Sequence, residues 1–274
     1  MSLARLLATP KYELIPMKNV QATFAFIPKN AKVSVTASPT KGTEATLELV
    51  QELTHYVTPT HITPHLSARL LASEAELSNV LHQLEDLGIE ELFIVGGDTF
   101  PARGSFANSL ELVAAIRATN KNIRLGVAAY PEGHPRIAKE ALLEDLKRKA
   151  PFVQFMSTQL CFDAATLKIW LEQTRSAGVT LPVQIGIAGV VDSIKLAQIA
   201  GRIGVGDSLR YLTKHAGQVF KLVAGYKPDD VVQDLEPLYN DGFYNIVGFH
   251  VYTFNQLEKT ERWRQQTLES LQTP

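Results

Sequence analysis

The sequence has a single cysteine, Cys161, among its 274 residues, which excludes a disulfide within the chain. No apolar run approaches the roughly 18 residues that a membrane-spanning helix needs, and the start, Met1–Leu7, is too short for a signal peptide. Neither sign of charge dominates, because 27 basic side chains face 28 acidic ones. These absences predict a cytoplasmic protein without a disulfide framework, a nucleic-acid partner or a membrane partner.

Short apolar runs alternate with helix-like segments along the chain. Seven of the runs end at a polar or glycine-rich signature, which reads in chain order Glu13, Thr36, His65, Gly96–Asp98, Tyr130–Glu132, Gln159 and Gly186. An eighth run reaches Phe249 and ends near Tyr252. Eight such units predict an α/β fold, a single-domain (β/α)8 TIM barrel over residues 1–274. The carboxyl ends of the strands meet at one mouth in this fold, so the signature residues are the candidate site.

The predicted elements follow from period-2 and helical spacing, from capping residues and from glycine stops. The predicted strands are Lys11–Ile15, Lys32–Thr36, Thr60–Pro64, Glu91–Val95, Ile123–Ala128, Phe152–Met156, Pro182–Ile185 and Asn245–Phe249. The predicted helices are Thr43–Tyr56, capped by Thr43, then Ser73–Leu87, Ser105–Thr119, Arg136–Lys149, Asp163–Ala177 and Asp192–Ala200. Ser73 and Glu76 form a predicted capping box. Val20–Ile27 suits either a short helix or an extra strand.

Two further helical regions complete the prediction. We expect two helices in the connection between Gly204 and Asn240, as an insertion before the last strand. A charged amphipathic helix over Gln256–Leu271 ends the chain. Its apolar side can cover the outside of the barrel, which we favour, or pack on a neighbouring subunit in a homo-oligomer.

Two strand ends carry acidic residues that suit chemistry. Glu13 stands beside Leu14, Ile15 and Pro16, and apolar neighbours raise the pKa of a carboxyl toward that of a general acid at neutral pH. A surface glutamate explains the same residues. The paired glycines before Asp98 let backbone approach a flat ring or a phosphate, and Asp98 can orient a heterocycle. A tight turn with an exposed aspartate is the alternative.

Three further motifs bear on function, and the first of them is the most informative stretch of the chain. The two prolines and the glycine of Ala128–Pro135 predict a rigid loop that presents Tyr130 as a stacking face and His134 as a polar contact. Gln159 suits recognition of a pterin or purine edge, or caps its own loop. His61 and His65 stand four apart without a Glu or Cys at ligand spacing, so no metal site is predicted.

For two more segments a purely structural role explains the residues. Cys161 has no low-pKa signature around it and is expected in the core. The Gly204–Ser208 segment can bind an anion at a helix N-terminus or act as a plain cap. There is no Rossmann Gly-x-Gly-x-x-Gly after a strand and no P-loop.

In this order, the motifs resemble those of the methylenetetrahydrofolate reductase family. The similarity runs from Tyr12 to Asn255, and its anchors are Ala129–Pro135, Leu146–Lys149, Thr158–Gln159 with Phe162–Asp163, and Tyr252–Asn255. The resemblance implies a (β/α)8 barrel of one-carbon metabolism and methionine biosynthesis that carries FAD. NADH or NADPH reduces the flavin, which passes hydride to the folate substrate 5,10-methylenetetrahydrofolate and gives 5-methyltetrahydrofolate.

The resemblance also implies roles for individual residues. Glu13 corresponds to the general acid that protonates N10 of the folate, so that the five-membered ring opens to an iminium ion. Asp98 corresponds to a catalytic residue between flavin and pterin, and Gln159 to a pterin contact. Gln256 stands where the family places a folate-binding arginine. The positions that contact FAD in the family are Thr36, His65, Gly96, Gly97, Ala107, Tyr130, His134, Arg148 and Lys149.

Several of these positions depart from the family pattern. Gly96 replaces an arginine that contacts the cofactor diphosphate, and Leu142 replaces an aspartate on the polyol side of the flavin. Arg136 replaces a glutamate, and Phe106 replaces a tyrosine. A charge-assisted hydrogen bond contributes ~1.5–3 kcal/mol, so the loss of two predicts FAD affinity lower by roughly a hundredfold or more.

We therefore expect a divergent member of the family in which hydride passes through FAD or directly from NAD(P)H. Two alternatives fit the same residues. The first is a pterin-binding barrel methyltransferase, which needs no nicotinamide. The second is a non-catalytic folate-binding homologue.

Overall fold

A closed barrel of eight parallel strands forms the centre of the protein. The computed structural model describes residues 2–203 and 226–272. Each strand pairs with the next in chain order, and the last pairs with the first, which confirms the predicted fold class. The strands are β1 Lys11–Leu14, β2 Lys32–Val35, β3 Ile62–Ser67, β4 Glu91–Val95, β5 Arg124–Ala129, β6 Phe155–Thr158, β7 Val183–Ala188 and β8 Ile246–Tyr252.

Helices surround the barrel. They are α1 Leu3–Ala8, α2 Glu44–Leu53, α3 Glu74–Asp86, α4 Ser109–Thr119, α5 Lys139–Lys149, α6 Ala164–Ser176, α7 Ser193–Ile203, α8 Asp229–Asp234, α9 Glu236–Tyr239 and α10 Leu257–Gln272. Val20–Phe26 is a 3-10 helix, so the ambiguous segment is helical. The short helices α8 and α9 lie in the predicted insertion, whereas the Gly204–Ser208 segment falls outside the described residues. No described helix combines the length and the apolar character that crossing a bilayer requires.

Local hydrogen bonds move several predicted boundaries. Pro59 and Pro151 lie in the first two positions of 3-10 turns, and β3 and β6 start two and three residues later than predicted. Asn108 accepts a hydrogen bond from the Glu111 N–H, so α4 begins four residues after the predicted start. Thr43 stands at the N-cap position of α2 as predicted, but its side chain makes no capping bond. The Ser73 cap is confirmed by the bond that it accepts from the Glu76 N–H.

The last two strands extend past their predicted ends. Sequence reasoning ended them at Ile185 and Phe249, but they continue for three further residues in each case. The extension of β8 brings His250 and Tyr252 into the barrel wall. This difference matters for the site, because both side chains contact the interior.

The barrel has an apolar outside and an unusually polar inside. Outward side chains such as Leu14, Val33, Ile62, Leu92 and Val127 are fully buried under the helices. Inward positions alternate with them and include Lys11, Glu13, Ser34, Thr63, His65, Glu91, Phe93, Phe155 and His250. Branched aliphatic residues usually fill this space. The polar filling therefore places charge and hydrogen-bonding groups at the centre of the molecule.

The C-terminal helix covers the outside of its own barrel, as favoured from the sequence. The Tyr12 hydroxyl donates a 2.5 Å hydrogen bond to Glu261 on α10. Arg264 donates to the same carboxylate at 2.6 and 2.8 Å and to the Leu7 carbonyl at 2.9 Å. Burial raises the pKa of Tyr12, and the Glu261 charge adds to the effect. These bonds join both ends of the chain to β1.

Candidate active site

Glu13 is a buried acid near the carboxyl end of β1. Its neighbours across the sheet are Ser34 on β2 and Tyr252 on β8. The residue is only 8% exposed, and its Oε2 lies 3.0 Å from Nε2 of His250. Burial raises the pKa of Glu13 to about 7, and a smaller electrostatic interaction with His65 acts in the opposite direction. A carboxyl with such a pKa is substantially protonated at neutral pH, which general acid catalysis requires.

Two neutral histidines lie beside this acid. His65 on β3 and His250 on β8 are 7% and 1% exposed. Burial lowers the pKa of both imidazoles to about 3. Both rings lie near the Phe93 ring, at centroid distances of 4.7 and 6.2 Å. An aromatic ring therefore borders both histidines, and both are uncharged at neutral pH.

The same three residues form the one group of potential metal ligands among the described residues. Glu13, His65 and His250 each offer a ligand atom, and these atoms lie within 4.8 Å of one another. Sequence reasoning paired His65 with His61 instead, but His61 lies in a 3-10 helix before β3. The Nε2 atom of His65 lies 2.6 Å from Ser34 Oγ, and that of His250 contacts Glu13. Because both nitrogens have hydrogen-bond partners, we interpret the group as a site of proton chemistry.

The loop after β8 holds the end of β1 in place. Thr253 donates a 2.5 Å hydrogen bond to the Glu13 carbonyl. Asn255 accepts from the Ile15 N–H and donates to the Ile15 carbonyl, both at 2.9 Å. Phe254 and Asn255 have positive φ angles of 50° and 59°, a conformation that costs energy for residues other than glycine. The sequence contained this motif, but nothing in it showed that the motif fixes the acid.

Asp98 lies at the barrel mouth, after β4. Its side chain is 72% exposed and forms an ion pair with Arg136, the residue that replaces the family's glutamate. Gly97 has a φ of +89°, and an added Cβ would lie 2.0 Å from Ser67 Oγ, so only glycine fits there. Gly96 differs, because the nearest atom to an added Cβ is 4.0 Å away. A Cβ would therefore be accommodated at Gly96, where the resemblance implies an arginine.

Two buried tyrosines are affected by the charges of Glu13 and Asp98. Burial and then the charges of Asp98 and Asp145 raise the pKa of Tyr130 to about 12. Burial and then the charges of Glu13 and Tyr130 raise the pKa of Tyr252 well above its usual value. The charge of Asp98 thus affects Tyr130, and the charge of Glu13 affects Tyr252. Glu13 lies inside the barrel and Asp98 lies at its rim, at the same end.

The predicted folate contacts follow β6 and β8. Gln159 comes after β6, and its side-chain oxygen accepts a 2.9 Å hydrogen bond from the Leu160 N–H. This is the loop-capping role that we weighed from the sequence. Gln256 is half-buried just before α10, where its backbone bonds to Thr253 and Thr260. Both residues lie at the mouth and bond to their own loops.

Several residues at the family's flavin positions are engaged in internal bonds. Lys149 is 4% exposed, pairs with Asp145 and donates to Ser109 Oγ at 3.1 Å. Ala107 donates its N–H to Glu111 and accepts from Arg69 through its carbonyl. His65 is engaged by Ser34, as described above. A buried and paired lysine is not available to a phosphate.

The remaining flavin positions lie in the loops and on α5. Tyr130 packs edge-on against His134 at 5.3 Å, and His134 accepts a bond from the Arg136 N–H. Arg148 is exposed on α5. The Thr36 carbonyl accepts from the Thr46 hydroxyl. Of the positions that we expect to contact FAD, Lys149 and Ala107 are therefore engaged in internal bonds, whereas Arg148 is exposed.

Comparison with known proteins shows the family to which this chain belongs. A family profile described as methylenetetrahydrofolate reductase matches residues 17–266, a range that begins four residues after Glu13. Methylenetetrahydrofolate reductase 2 of Saccharomyces cerevisiae is 27% identical over 166 residues, which are 58% of this chain and 27% of that protein. The probable methylenetetrahydrofolate reductase (NADPH) of Caenorhabditis elegans is 26% identical over 176 residues, 62% of this chain and 24% of that protein. The aligned part is thus about a quarter of each relative.

A solved structure shows the same fold. It is a Clostridium thermocellum protein that binds two copies of 5-methyl-5,6,7,8-tetrahydrofolic acid. The TM-score is 0.66 at 10% sequence identity, and the match covers 96% of each chain. At this identity the likeness supports the barrel and its size, and it does not assign individual residues.

Proposed function

Because the chain belongs to the methylenetetrahydrofolate reductase family, we propose that it reduces 5,10-methylenetetrahydrofolate to 5-methyltetrahydrofolate with hydride from NADH or NADPH. Family membership supports a folate-related oxidoreductase. The observation that carries the specific reaction is Glu13, a buried carboxyl whose pKa of about 7 suits proton donation at neutral pH. For an enzyme of one-carbon metabolism we propose the cytoplasm as its compartment.

The proposed mechanism uses one proton and one hydride. Glu13 donates its proton to N10 of the folate, which breaks the bond between N10 and the methylene carbon. The electron pair of that bond stays on N10, and N5 and the methylene carbon form an iminium ion. Hydride from C4 of the nicotinamide then adds to the methylene carbon and gives the N5-methyl group and NAD(P)⁺. Glu13 regains a proton from solvent.

We propose that the hydride passes directly from the nicotinamide to the folate. Two observations support this route over FAD. Gly96 stands where the resemblance implies an arginine, although an added Cβ would meet no atom closer than 4.0 Å, and Lys149 is held by Asp145 and Ser109. Either loss weakens contacts to a cofactor phosphate.

The assay that tests this proposal follows NAD(P)H absorbance with purified protein. We expect oxidation that depends on 5,10-methylenetetrahydrofolate, and no stoichiometric absorbance bands of oxidised flavin. Flavin bands at one equivalent would overturn the direct route while leaving the reaction in place. Binding of 5-methyltetrahydrofolate without any nucleotide oxidation would favour a methyltransferase or a non-catalytic folate-binding homologue instead.

The Asp98→Asn variant tests whether the Asp98 carboxylate, at the rim of the barrel mouth, contacts the folate. Its carboxylate is exposed and paired with Arg136, so Asp98→Asn should leave the fold intact. If Asp98 contacts the pterin, the variant loses a charged hydrogen bond of about 1.5–3 kcal/mol, which is roughly 10- to 150-fold in kcat/KM for the folate. The control is Glu144→Gln, which removes an exposed ion-paired carboxylate from α5. Equal kinetics for wild type and Asp98→Asn would remove Asp98 from the site.

A further inference from the structure

We propose that His250 is a positioning residue of this reaction, which fixes one oxygen of Glu13 so that the other oxygen carries the proton to the substrate. The inference rests on the proposed function of Glu13. It assigns a role to a residue that sequence reasoning left out, because the predicted strand ended at Phe249. His250 is 1% exposed and 237 positions away from Glu13 along the chain.

The two ring nitrogens of His250 have different surroundings. Nε2 lies 3.0 Å from Oε2 of Glu13. Nδ1 is buried without a hydrogen-bond partner among the residues that the structure describes. An orphaned N–H group is rarer in protein interiors than an acceptor left unsatisfied. The proton therefore belongs on Nε2, and Nδ1 carries the unpaired lone pair.

This tautomer determines which oxygen of the Glu13 carboxyl carries the proton. His250 Nε2–H donates to Oε2 whether the carboxyl is protonated or ionised, so the proton of the neutral acid lies on Oε1. The Glu13 side chain makes one hydrogen bond within the described residues, through Oε2. After proton transfer the carboxylate keeps its donor, and no tautomer change is needed. The arrangement lowers the cost of the buried carboxylate that the reaction creates.

The surrounding groups leave Glu13 as the titrating member of the cluster. His65 on β3 and His250 on β8 are neutral above pH 3, because burial lowers the pKa of each to about 3. Tyr252 on β8 is neutral as well, since burial raises its pKa. Lys11 on β1 adds a positive charge that disfavours protonation of both histidines. The pH profile of kcat near neutrality therefore reports on Glu13.

Two variants separate positioning from packing. His250→Phe keeps an aromatic ring beside Phe93 and Tyr252 but removes the donor, whereas His250→Gln keeps an N–H donor. In His250→Phe we expect the plateau kcat to fall about tenfold through loss of alignment. We also expect the limb at which activity falls with rising pH to move up by about one pH unit or more, because the carboxylate has lost a donor. His250→Gln should restore most of both, with KM for the folate little changed.

Nuclear magnetic resonance tests the inference without turnover. In the ¹⁵N-labelled wild type, the His250 ring should show the Nε2–H tautomer, and an Nδ1–H tautomer would overturn the proposal even if no variant folds. In ¹³C-labelled protein, the Glu13 carboxyl should titrate at higher pH in His250→Phe than in wild type. Equal titration, or an equal loss of kcat in both variants without a shift of the pH profile, would show that His250 only packs. A protein without reductase activity but with the titration shift would defeat the proposed function and retain the contact.

Discussion

Replacement of Glu13 by glutamine should abolish reduction. General acid catalysis contributes about 10²–10⁴-fold, so kcat with 5,10-methylenetetrahydrofolate is expected to fall by that factor in Glu13→Gln. The glutamine keeps the shape and the contact with His250 but has no proton of suitable acidity for N10. Binding of 5-methyltetrahydrofolate, measured by calorimetry, should change little, since this product needs no proton from the residue.

The stability of the Glu13→Gln variant can be predicted too, and its measurement shows whether a loss of activity is due to misfolding. The pKa of Glu13 in the folded protein, about 7, lies above the ordinary value of 4.5. A raised carboxyl pKa means that the folded state binds the proton more tightly than the unfolded state, so this residue lowers stability as pH rises from 4.5 to 7. Glu13→Gln removes that penalty and should be at least as stable as wild type at pH 8.

In wild type, kcat should fall about tenfold per pH unit above pH 7. Turnover within threefold of wild type would remove Glu13 from the mechanism.

The second large effect is on stability and comes from a buried ion pair at the amino-terminal ends of β1 and β4. Lys11 on β1 is 3% exposed, and its ammonium lies 2.5 Å from Glu91 Oε1 on β4. Glu91 also accepts from Thr63 and Arg124. Burial lowers the pKa of Lys11, against the opposing charge of Glu91. Glu91→Gln leaves this ammonium buried without its counterion, which should lower the free energy of unfolding by about 3–5 kcal/mol.

Two controls show that burial causes this loss. The double variant Lys11→Met with Glu91→Gln removes both charges and should recover most of the stability in urea unfolding, because an apolar pair often replaces a buried ion pair without cost. Glu172→Gln breaks the exposed pair with Lys168 on α6 and should leave the unfolding curve unchanged. A small effect of Glu91→Gln alone would mean that water reaches the ammonium.

The sequence predicted the parts of the molecule that depend on short-range periodicity. Alternating apolar residues define the strands, and the residues where those strands end mark the mouth, so the location of Glu13 and Asp98 at this end of the barrel could be predicted by position. Two strand ends were misplaced. Gly186 follows the predicted end of β7 at Ile185, and the polar residue His250 follows the predicted end of β8 at Phe249, so both strands were ended three residues too early.

Contacts between distant positions could not be predicted in this way. Glu13 and His250 are 237 positions apart, and Lys11 and Glu91 are 80 apart. Only closure of the barrel brings the first strand beside the eighth and lets side chains meet across the interior. The pairing of Asp98 with Arg136 is similar, since β4 and the loop after β5 supply one residue each. A single sequence gives the residue types at the mouth but not their partners.

The most direct test of the account is a crystal structure of the protein with bound 5-methyltetrahydrofolate. We expect the pterin at the carboxyl end of the barrel, with the Glu13 carboxyl within hydrogen-bond distance of N10 and Asp98 in contact with the pterin ring. Folate bound away from the mouth, or a Glu13 side chain sealed off from the ligand, would contradict the assignment of the acid and the reaction built on it.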